Sequence, residues 1–166
     1  MGMSKQRRKR GQALAEMAVM VPFLVIGMMG FLDLGRAFYY QISLTNAVRE
    51  AARYASQNAY LGLNPSCDTP TSLGYYCPIP TDLNICARVR QELDGTGFNV
   101  TCPDDITISP DQAQRFGNYT GSGGYQQQYQ VTVSGVYQFH FITPIIGSLI
   151  GDPLTLRARA DMRTDY

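Results

Sequence analysis

The chain has 166 residues, a formal net charge of +1 and no tryptophan, which leaves room for one modest domain plus an appendage. Five of its 14 basic residues fall within residues 1–10, which contain no acid, and the rest of the chain is mildly acidic. A nucleic-acid-binding domain is expected to spread its basic residues over a folded face, so this concentration at one end argues against nucleic acid as a partner.

A membrane-length apolar segment follows the basic cluster. No residue from Met17 to Leu32 is charged, and extending this run back to Gln12 gives 21 residues. A helix of that length is about 30 Å long, enough to cross a bilayer core. Because the basic residues precede the helix, the positive-inside rule places residues 1–11 in the cytoplasm and the chain after Asp33 outside.

A cleaved secretory signal peptide is the alternative interpretation of this segment. Gly35-Arg36-Ala37 meets the small-x-small requirement of a signal cleavage site. The apolar run, however, exceeds the usual signal core of about 7–15 residues, which favours a retained transmembrane helix. Asp33 and Arg36 are three residues apart and are expected to pair where this helix leaves the membrane.

Helical character continues beyond the membrane edge, because residues 37–57 contain no glycine or proline. Apolar residues recur there close to helical spacing, at Phe38, Ile42, Val48, Ala52 and Ala55. We predict one helix over residues 12–57, transmembrane to about Leu32. Pro22 falls inside this helix and predicts a kink or a weakened turn.

Residues 58–166 are expected to form an extracytoplasmic domain that contains four cysteines. These are Cys67, Cys77, Cys86 and Cys102. An even count in a small exported domain suggests two disulfides with three connectivities, of which the local pairing Cys67–Cys77 and Cys86–Cys102 is favoured. Metal ligation is disfavoured because it uses closer pairs such as C-x-x-C, whereas nine, eight and fifteen residues separate these cysteines.

A second helix is predicted from Asp82 or Leu83 to Leu93, with Thr81 or Asp82 as its N-cap and Asp94-Gly95 at its end. Further along, alternating apolar residues predict strands, and an apolar turn or short helix separates the last two. The segments are Phe98–Cys102, Ile106–Ile108, Tyr129–Phe141, the turn at 145–150, and Leu154–Met162. The predicted fold class is α+β: a long N-terminal helix leading into a small domain with a second helix and an antiparallel sheet of three or four strands.

The sequence offers little for catalysis or for a bound metal. His140 is the sole histidine, and no Ser-His-Asp set, phosphate-binding loop or dinucleotide fingerprint is recognisable. Asp104, Asp105 and Asp111 could contact calcium, but their spacing does not follow an EF-hand loop, and solvated turn acids are favoured. We therefore expect no enzymatic activity, no cofactor and no metal site.

Glu16 is an acid at the start of an apolar helix, and a centrally placed carboxylate in lipid costs roughly 2.5 kcal/mol or more. In the intact chain Glu16 would lie near the lipid headgroups. If the chain were cut between Gly11 and Gln12, Glu16 would be the fifth residue, beside a new α-amino group and the positive end of the helix dipole. That amine, or the amine of a neighbouring subunit, could neutralise Glu16, and pairing between subunits would fix their axial register.

The segment Arg10–Met17, RGQALAEM, followed by an apolar helix, resembles the class III prepilin leader of tight-adherence (Flp) pilus systems. Over Arg8–Ser56 the chain resembles a TadE-like minor pilin, or pseudopilin, through RGQALAE, the apolar run and FLDLGRAFYYQISLTNAVREAARYAS. The closing strand LTLRARADMR also resembles that family's C-terminal region. Many major Flp pilins carry Tyr or Phe where this chain has Met17, and they are far shorter, so the length favours a minor pilin.

The resemblance implies that a membrane prepilin peptidase removes the leader, residues 1–11, by cleaving between Gly11 and Gln12, and that Glu16 serves assembly. The expected function is that of a minor pilin of the type IV class, held in the bacterial inner membrane and then incorporated into, or priming, an adhesive cell-surface pilus. Its expected partners are the peptidase, other pilin subunits, the assembly platform and the inner membrane, and not nucleic acid. The alternative is a membrane-anchored extracytoplasmic binding module that is not part of a filament.

Overall fold

The computed structural model describes residues 3–56, 80–115 and 129–164. Its elements in chain order are α1 (Met3–Ser56), α2 (Asp82–Leu93), β1 (Ile106–Ser109), β2 (Gln130–Phe139), α3 (Pro144–Ile150) and β3 (Leu154–Arg163). The architecture is α+β, as the sequence predicts. Two compact units are present: Met1–Phe38 with Phe139–Leu154, and Tyr39–Gln138 with Thr155–Tyr166.

Helix α1 contains 54 residues and begins at Met3, upstream of the predicted start at Gln12. The preceding segment is rich in Lys, Arg and Gln, which are good helix formers, and the single glycine at Gly11 costs only about 1 kcal/mol relative to alanine. The helix therefore continues through the basic segment. Pro22 lies inside α1 and has no N–H to donate to the carbonyl of Ala18.

In the first unit, α3 approaches α1 closely at Gly30. A Cβ added to Gly30 would lie 2.7 Å from Cδ1 of Ile146, so a larger residue would have to displace that side chain. The helix α3 confirms the short helix predicted as one alternative at 145–150, and it carries Pro144 in its first turn. Proline is tolerated there because the N–H groups of the first helical turn have no partner within the helix.

In the second unit, the upper part of α1 contributes a fully buried face. The side chains with no exposed surface are Leu44, Ala47, Val48, Ala51, Ala52 and Ala55. The predicted apolar stripe is wrong at its N-terminal end, since Phe38 and Ile42 are 59% and 60% exposed. At 100° per residue, Ile42 lies about 160° around the helix from Leu44 and so faces away from the core.

The sheet has the order β1-β2-β3, and β1 pairs antiparallel with β2 from Ile106↔Gly135 to Ser109↔Thr132. Gly135 permits close packing on α1, because a Cβ there would lie 3.0 Å from Cγ2 of Val48. The predicted strand Phe98–Cys102 is wrong: this segment has no strand pairing in the described chain, although Phe98 and Val100 are buried. Both side chains fill the core from an irregular segment.

Helix α2 has the predicted ends. Thr81 is its N-cap, and the Thr81 hydroxyl oxygen accepts a hydrogen bond from the N–H of Asn84 at 3.1 Å. Asp94 closes the helix, and Gly95 follows with φ +78°, a conformation that favours glycine. The helix buries one apolar face, made of Ile85, Cys86, Val89 and Leu93.

Gly135→Ala is expected to lower the free energy of unfolding by about 1–3 kcal/mol through overpacking, since its Cβ would lie 3.0, 3.1 and 3.3 Å from side-chain atoms of Val48, Leu44 and Ile106. Thermal unfolding of the full chain in detergent micelles, followed by circular dichroism, measures this effect. Gly35→Ala is the matched control, because nothing lies within 4 Å of its Cβ position. A midpoint for Gly135→Ala equal to that of the parent chain would contradict the packing described.

Candidate functional site

The lower part of α1 presents apolar side chains that the rest of the described chain leaves largely uncovered. Every residue from 11 to 29 is exposed, and Leu14, Phe23 and Phe31 keep 71%, 70% and 78% of their surface accessible. By length and composition this helix could cross a membrane. Burial of apolar surface is favourable by about 25 cal/mol per Å², so lipid or neighbouring apolar helices are the natural surroundings for this surface.

Gly11, Gln12 and Glu16 lie on this exposed stretch of α1. Nothing approaches within 4 Å of the Cβ position at Gly11, so the peptide bond between Gly11 and Gln12 is not covered by other side chains of the described chain. The Gln12 Nε2 donates a hydrogen bond to Oε1 of Glu16 at 3.2 Å. The backbone nitrogen of Gln12 is one helical turn, about 6 Å along the axis, from Glu16. The acid and the bond expected to be cut are therefore neighbours in space.

Asp33, which directly follows the apolar run, is a buried carboxylate with three donors around it. Its side chain is 2% exposed. Oδ2 accepts from the backbone N–H of Thr143 at 2.8 Å, and Oδ1 accepts from the N–H of Ile142 at 3.2 Å. Arg36 Nη1 lies 3.3 Å from Oδ1, which is the expected i,i+3 pair. The two backbone donors, 109 and 110 residues away in the chain, are partners that the sequence did not indicate.

These donors keep Asp33 ionised despite its burial. Desolvation raises the pKa of the Asp33 carboxyl, but the hydrogen bonds from Thr143 and Ile142 and the charge of Arg36 lower it, and the net pKa lies below its ordinary value. Arg36 is partly exposed, and its guanidinium carbon is 5.3 Å from the ring centre of Phe139. Asp33 thus connects α1 to the segment before α3 through charge-assisted hydrogen bonds.

In the second unit, Cys86 and Cys102 form a disulfide with a Cα–Cα distance of 6.3 Å. It joins α2 to the segment that precedes β1, and this is the local pairing favoured for these two cysteines. Cys67 and Cys77 lie outside the described residues. Among residues 3–56, 80–115 and 129–164, no group of three or more His, Cys, Asp or Glu side chains is arranged to hold a metal ion.

The acids considered for calcium make local hydrogen bonds. Asp105 Oδ2 accepts from the backbone N–H of Thr101 at 2.7 Å and from its hydroxyl at 2.6 Å. Asp111 Oδ1 accepts from the N–H of Gln114 at 2.8 Å. Asp104, beside Asp105, is exposed. Asp105 and Asp111 therefore stabilise turns.

His140 is exposed in the first unit, and its Nδ1 lies 3.3 Å from Oδ1 of Asp152. The pair is on the surface, and Asp152 Oδ1 also accepts a long hydrogen bond of 3.4 Å from the N–H of Phe141. The contact joins the two ends of the segment that contains α3.

Arg115 is a buried residue that the sequence did not single out. It has no exposed surface, donates to the Pro80 carbonyl at 2.8 Å and pairs with the carboxylate of Asp82. Asp82 and Gln112 exchange two hydrogen bonds, of 3.1 and 3.3 Å, between the side chain of each and the backbone N–H of the other. These contacts fasten the helical turn at 112–115 to the start of α2. They span about thirty residues, so local sequence patterns give no signal for them.

Residues 11–53 match the family model described as TadE-like protein. The match covers about a quarter of the chain, begins at Gly11 and lies entirely within α1. It confirms the resemblance inferred from the leader and the apolar helix. No curated protein and no solved structure matches the chain.

Asp33→Asn is expected to speed amide hydrogen exchange at Ile142 and Thr143 about tenfold or more. The amide offers one acceptor oxygen where the carboxylate offers two, and a buried donor left unsatisfied costs about 1–3 kcal/mol. Exchange measured by NMR on the full chain in micelles gives the result. Arg36→Ala is the control and should change exchange much less, because the Arg36 side chain is 37% exposed. Unchanged exchange in Asp33→Asn would show that the carboxylate does not hold this segment.

Lowering the pH should reproduce the effect of Asp33→Asn in the unsubstituted chain. Because the folded-state pKa of Asp33 is lowered, its contribution is present above the unfolded pKa of about 3.9 and is lost as the pH falls through the folded value. Loss of protection at Ile142 and Thr143 that begins well above pH 4 would contradict this assignment.

Proposed function

We propose that this chain, TadE-like over residues 11–53, is a minor pilin of a tight-adherence (Flp) type IV pilus. In this proposal a prepilin peptidase cleaves between Gly11 and Gln12, and the mature subunit is incorporated into the pilus or primes its assembly for surface adhesion. The observation that carries the proposal is the position of the family match. It begins at the expected cleavage site and continues along an exposed apolar helix that contains Glu16.

Before assembly, residues 12–32 are proposed to lie in the bacterial inner membrane, with the basic residues in the cytoplasm and the rest of the chain outside. The exposed apolar side chains of this stretch support the anchoring step. The Cys86–Cys102 disulfide supports an oxidising compartment for the second unit, because disulfides persist mainly in exported proteins.

During assembly, the same apolar surface is proposed to exchange lipid for the helices of neighbouring subunits. Glu16 then loses contact with water and headgroups and requires a cation. The α-amino group created at Gln12 supplies one, in the same subunit or in a neighbour. Two unit charges 4 Å apart attract by about 4 kcal/mol at an effective dielectric constant of 20, which offsets part of the cost of removing both charges from water. In this role the chain is a substrate and a structural subunit, not an enzyme.

Native protein from cells that assemble pili is expected to begin at Gln12, as read by mass spectrometry of its N-terminal peptide. Gly11→Leu should block this cleavage. The structure leaves space for the new side chain, so a failure to process this variant would reflect recognition by the peptidase and not misfolding. Intact residues 1–11 in the mature protein would contradict the proposal and favour the membrane-anchored binding module.

Glu16→Gln is expected to insert into the membrane normally but to reduce pilus number about tenfold or more, since a tenfold effect needs only about 1.4 kcal/mol. Electron microscopy counts the pili, and membrane fractionation measures insertion. Gln12→Ala is the matched control: it removes the side chain that donates to Glu16 but keeps the α-amino group. Normal pilus number in Glu16→Gln, or an equal loss in both variants, would exclude the pairing of Glu16 with the amine.

A further inference from the structure

Residues 142–151 form a second apolar segment outside the predicted membrane span. None of these ten residues is charged, and the segment is bounded by His140 and Asp152. Three of its apolar side chains are largely exposed: Ile142, Leu149 and Ile150 keep 66%, 80% and 65% of their surface accessible. A contiguous exposed apolar patch of this kind marks an interaction surface.

This patch lies beside the outer end of the apolar run of α1. The contact between Ile146 and Gly30 sets its axial position, because Gly30 is only about 4.5 Å along the helix from Asp33. An apolar groove of about 360 Å³ runs between the two helices, and its lining includes Gly27, Phe31, Leu34, Ile146, Leu149 and Ile150. The exposed surface of α1 therefore continues onto α3 at the level of its last apolar turns.

We propose that α3 and the adjoining Ile142 insert into the outer leaflet of the membrane, so that lipid acyl chains occupy this groove. The inference rests on the membrane anchoring in the proposed function and adds a second, non-spanning contact. Two observations select lipid as the occupant. The patch is continuous with the surface expected to face lipid, and it has no charged residue that could direct a partner of opposite charge.

Several backbone N–H groups of this segment have acceptors, and an unpaired N–H in lipid costs several kcal/mol. Ile142 and Thr143 precede the helix and donate their N–H groups to Asp33. Gly147 donates to the Thr143 carbonyl at 3.2 Å, and Gly151 donates to the Gly147 carbonyl at 2.9 Å. Pro144 has no N–H. The buried carboxylate of Asp33, just beyond the apolar run, thus accepts from the two N–H groups that precede α3.

The absence of tryptophan permits a direct test, because each single-tryptophan variant reports one position only. Leu149→Trp is the probe, and its exposed site should accept the indole without repacking. The full-length variants are reconstituted into phosphatidylcholine vesicles whose acyl chains carry bromine, a contact quencher of tryptophan fluorescence. Phe23→Trp, inside the apolar run and away from the groove, is the positive control, and Asn99→Trp, at an exposed site in the second unit, is the negative control.

Leu149→Trp is expected to lose fluorescence to an extent comparable with Phe23→Trp, and Asn99→Trp is expected to lose little. Quenching of Leu149→Trp no greater than that of Asn99→Trp overturns the inference, and Ile150→Trp repeats the measurement at an adjacent exposed site. A blue-shifted but unquenched Leu149→Trp, whose shift grows with the protein-to-lipid ratio, shows a second copy in the groove and also overturns it. If Phe23→Trp is unquenched as well, the membrane anchoring itself fails.

Discussion

Exposure of apolar surface to water is unfavourable, and the upper and lower parts of α1 differ in what covers their apolar side chains. From Leu44 to Ala55 the small and branched side chains of one face have no exposed surface, because the second unit supplies the cover from its own residues. From residue 11 to residue 29 every position is exposed, and the described chain covers little of this surface. The upper part of α1 belongs to a folded domain. The lower part exposes an apolar surface that is favourable only when lipid or other subunits remove it from water.

Asp33 lies between the exposed apolar part of α1 and the part that is buried in the second unit. An ionised carboxylate at the end of an apolar run needs donors once water is excluded, and it finds them in two backbone N–H groups and one guanidinium. The same contacts hold the start of α3 against α1. Glu16, at the other end of the run, is an exposed acid that accepts a hydrogen bond from Gln12 one turn away. The two acids therefore have different surroundings. The carboxylate of Asp33 accepts hydrogen bonds from groups of the same chain, whereas the exposed carboxylate of Glu16 is accessible to a cation.

The sequence predicted those structural features that depend on residues close together in the chain. The N-cap at Thr81, the end of α2 at Asp94, the i,i+3 contact of Asp33 with Arg36 and the long N-terminal helix can all be inferred from short spacings. Contacts between distant segments could not be inferred in this way. The donors to Asp33 lie more than 100 residues away, and the buried Arg115 pairs with Asp82 across 33 residues. Phe98 and Val100 are buried apolar residues separated by one exposed residue, which is the pattern of a strand, but they have no strand partner in the described chain. Such a pattern shows which side chains are buried, and it does not show whether the backbone pairs with another strand.

The disulfide between Cys86 and Cys102 closes a short loop, with a sequence separation of 16. In the chain-entropy account a loop of this size is worth about 3 kcal/mol, a substantial share of the 5–15 kcal/mol that typically stabilises a domain. With the proposed topology, this contribution is absent while the chain is in the reducing cytoplasm and is gained only after translocation. Export and final stabilisation of the domain are thereby ordered in time: a chain retained inside the cell stays easier to unfold, and oxidation fixes its structure on the side where it is to act.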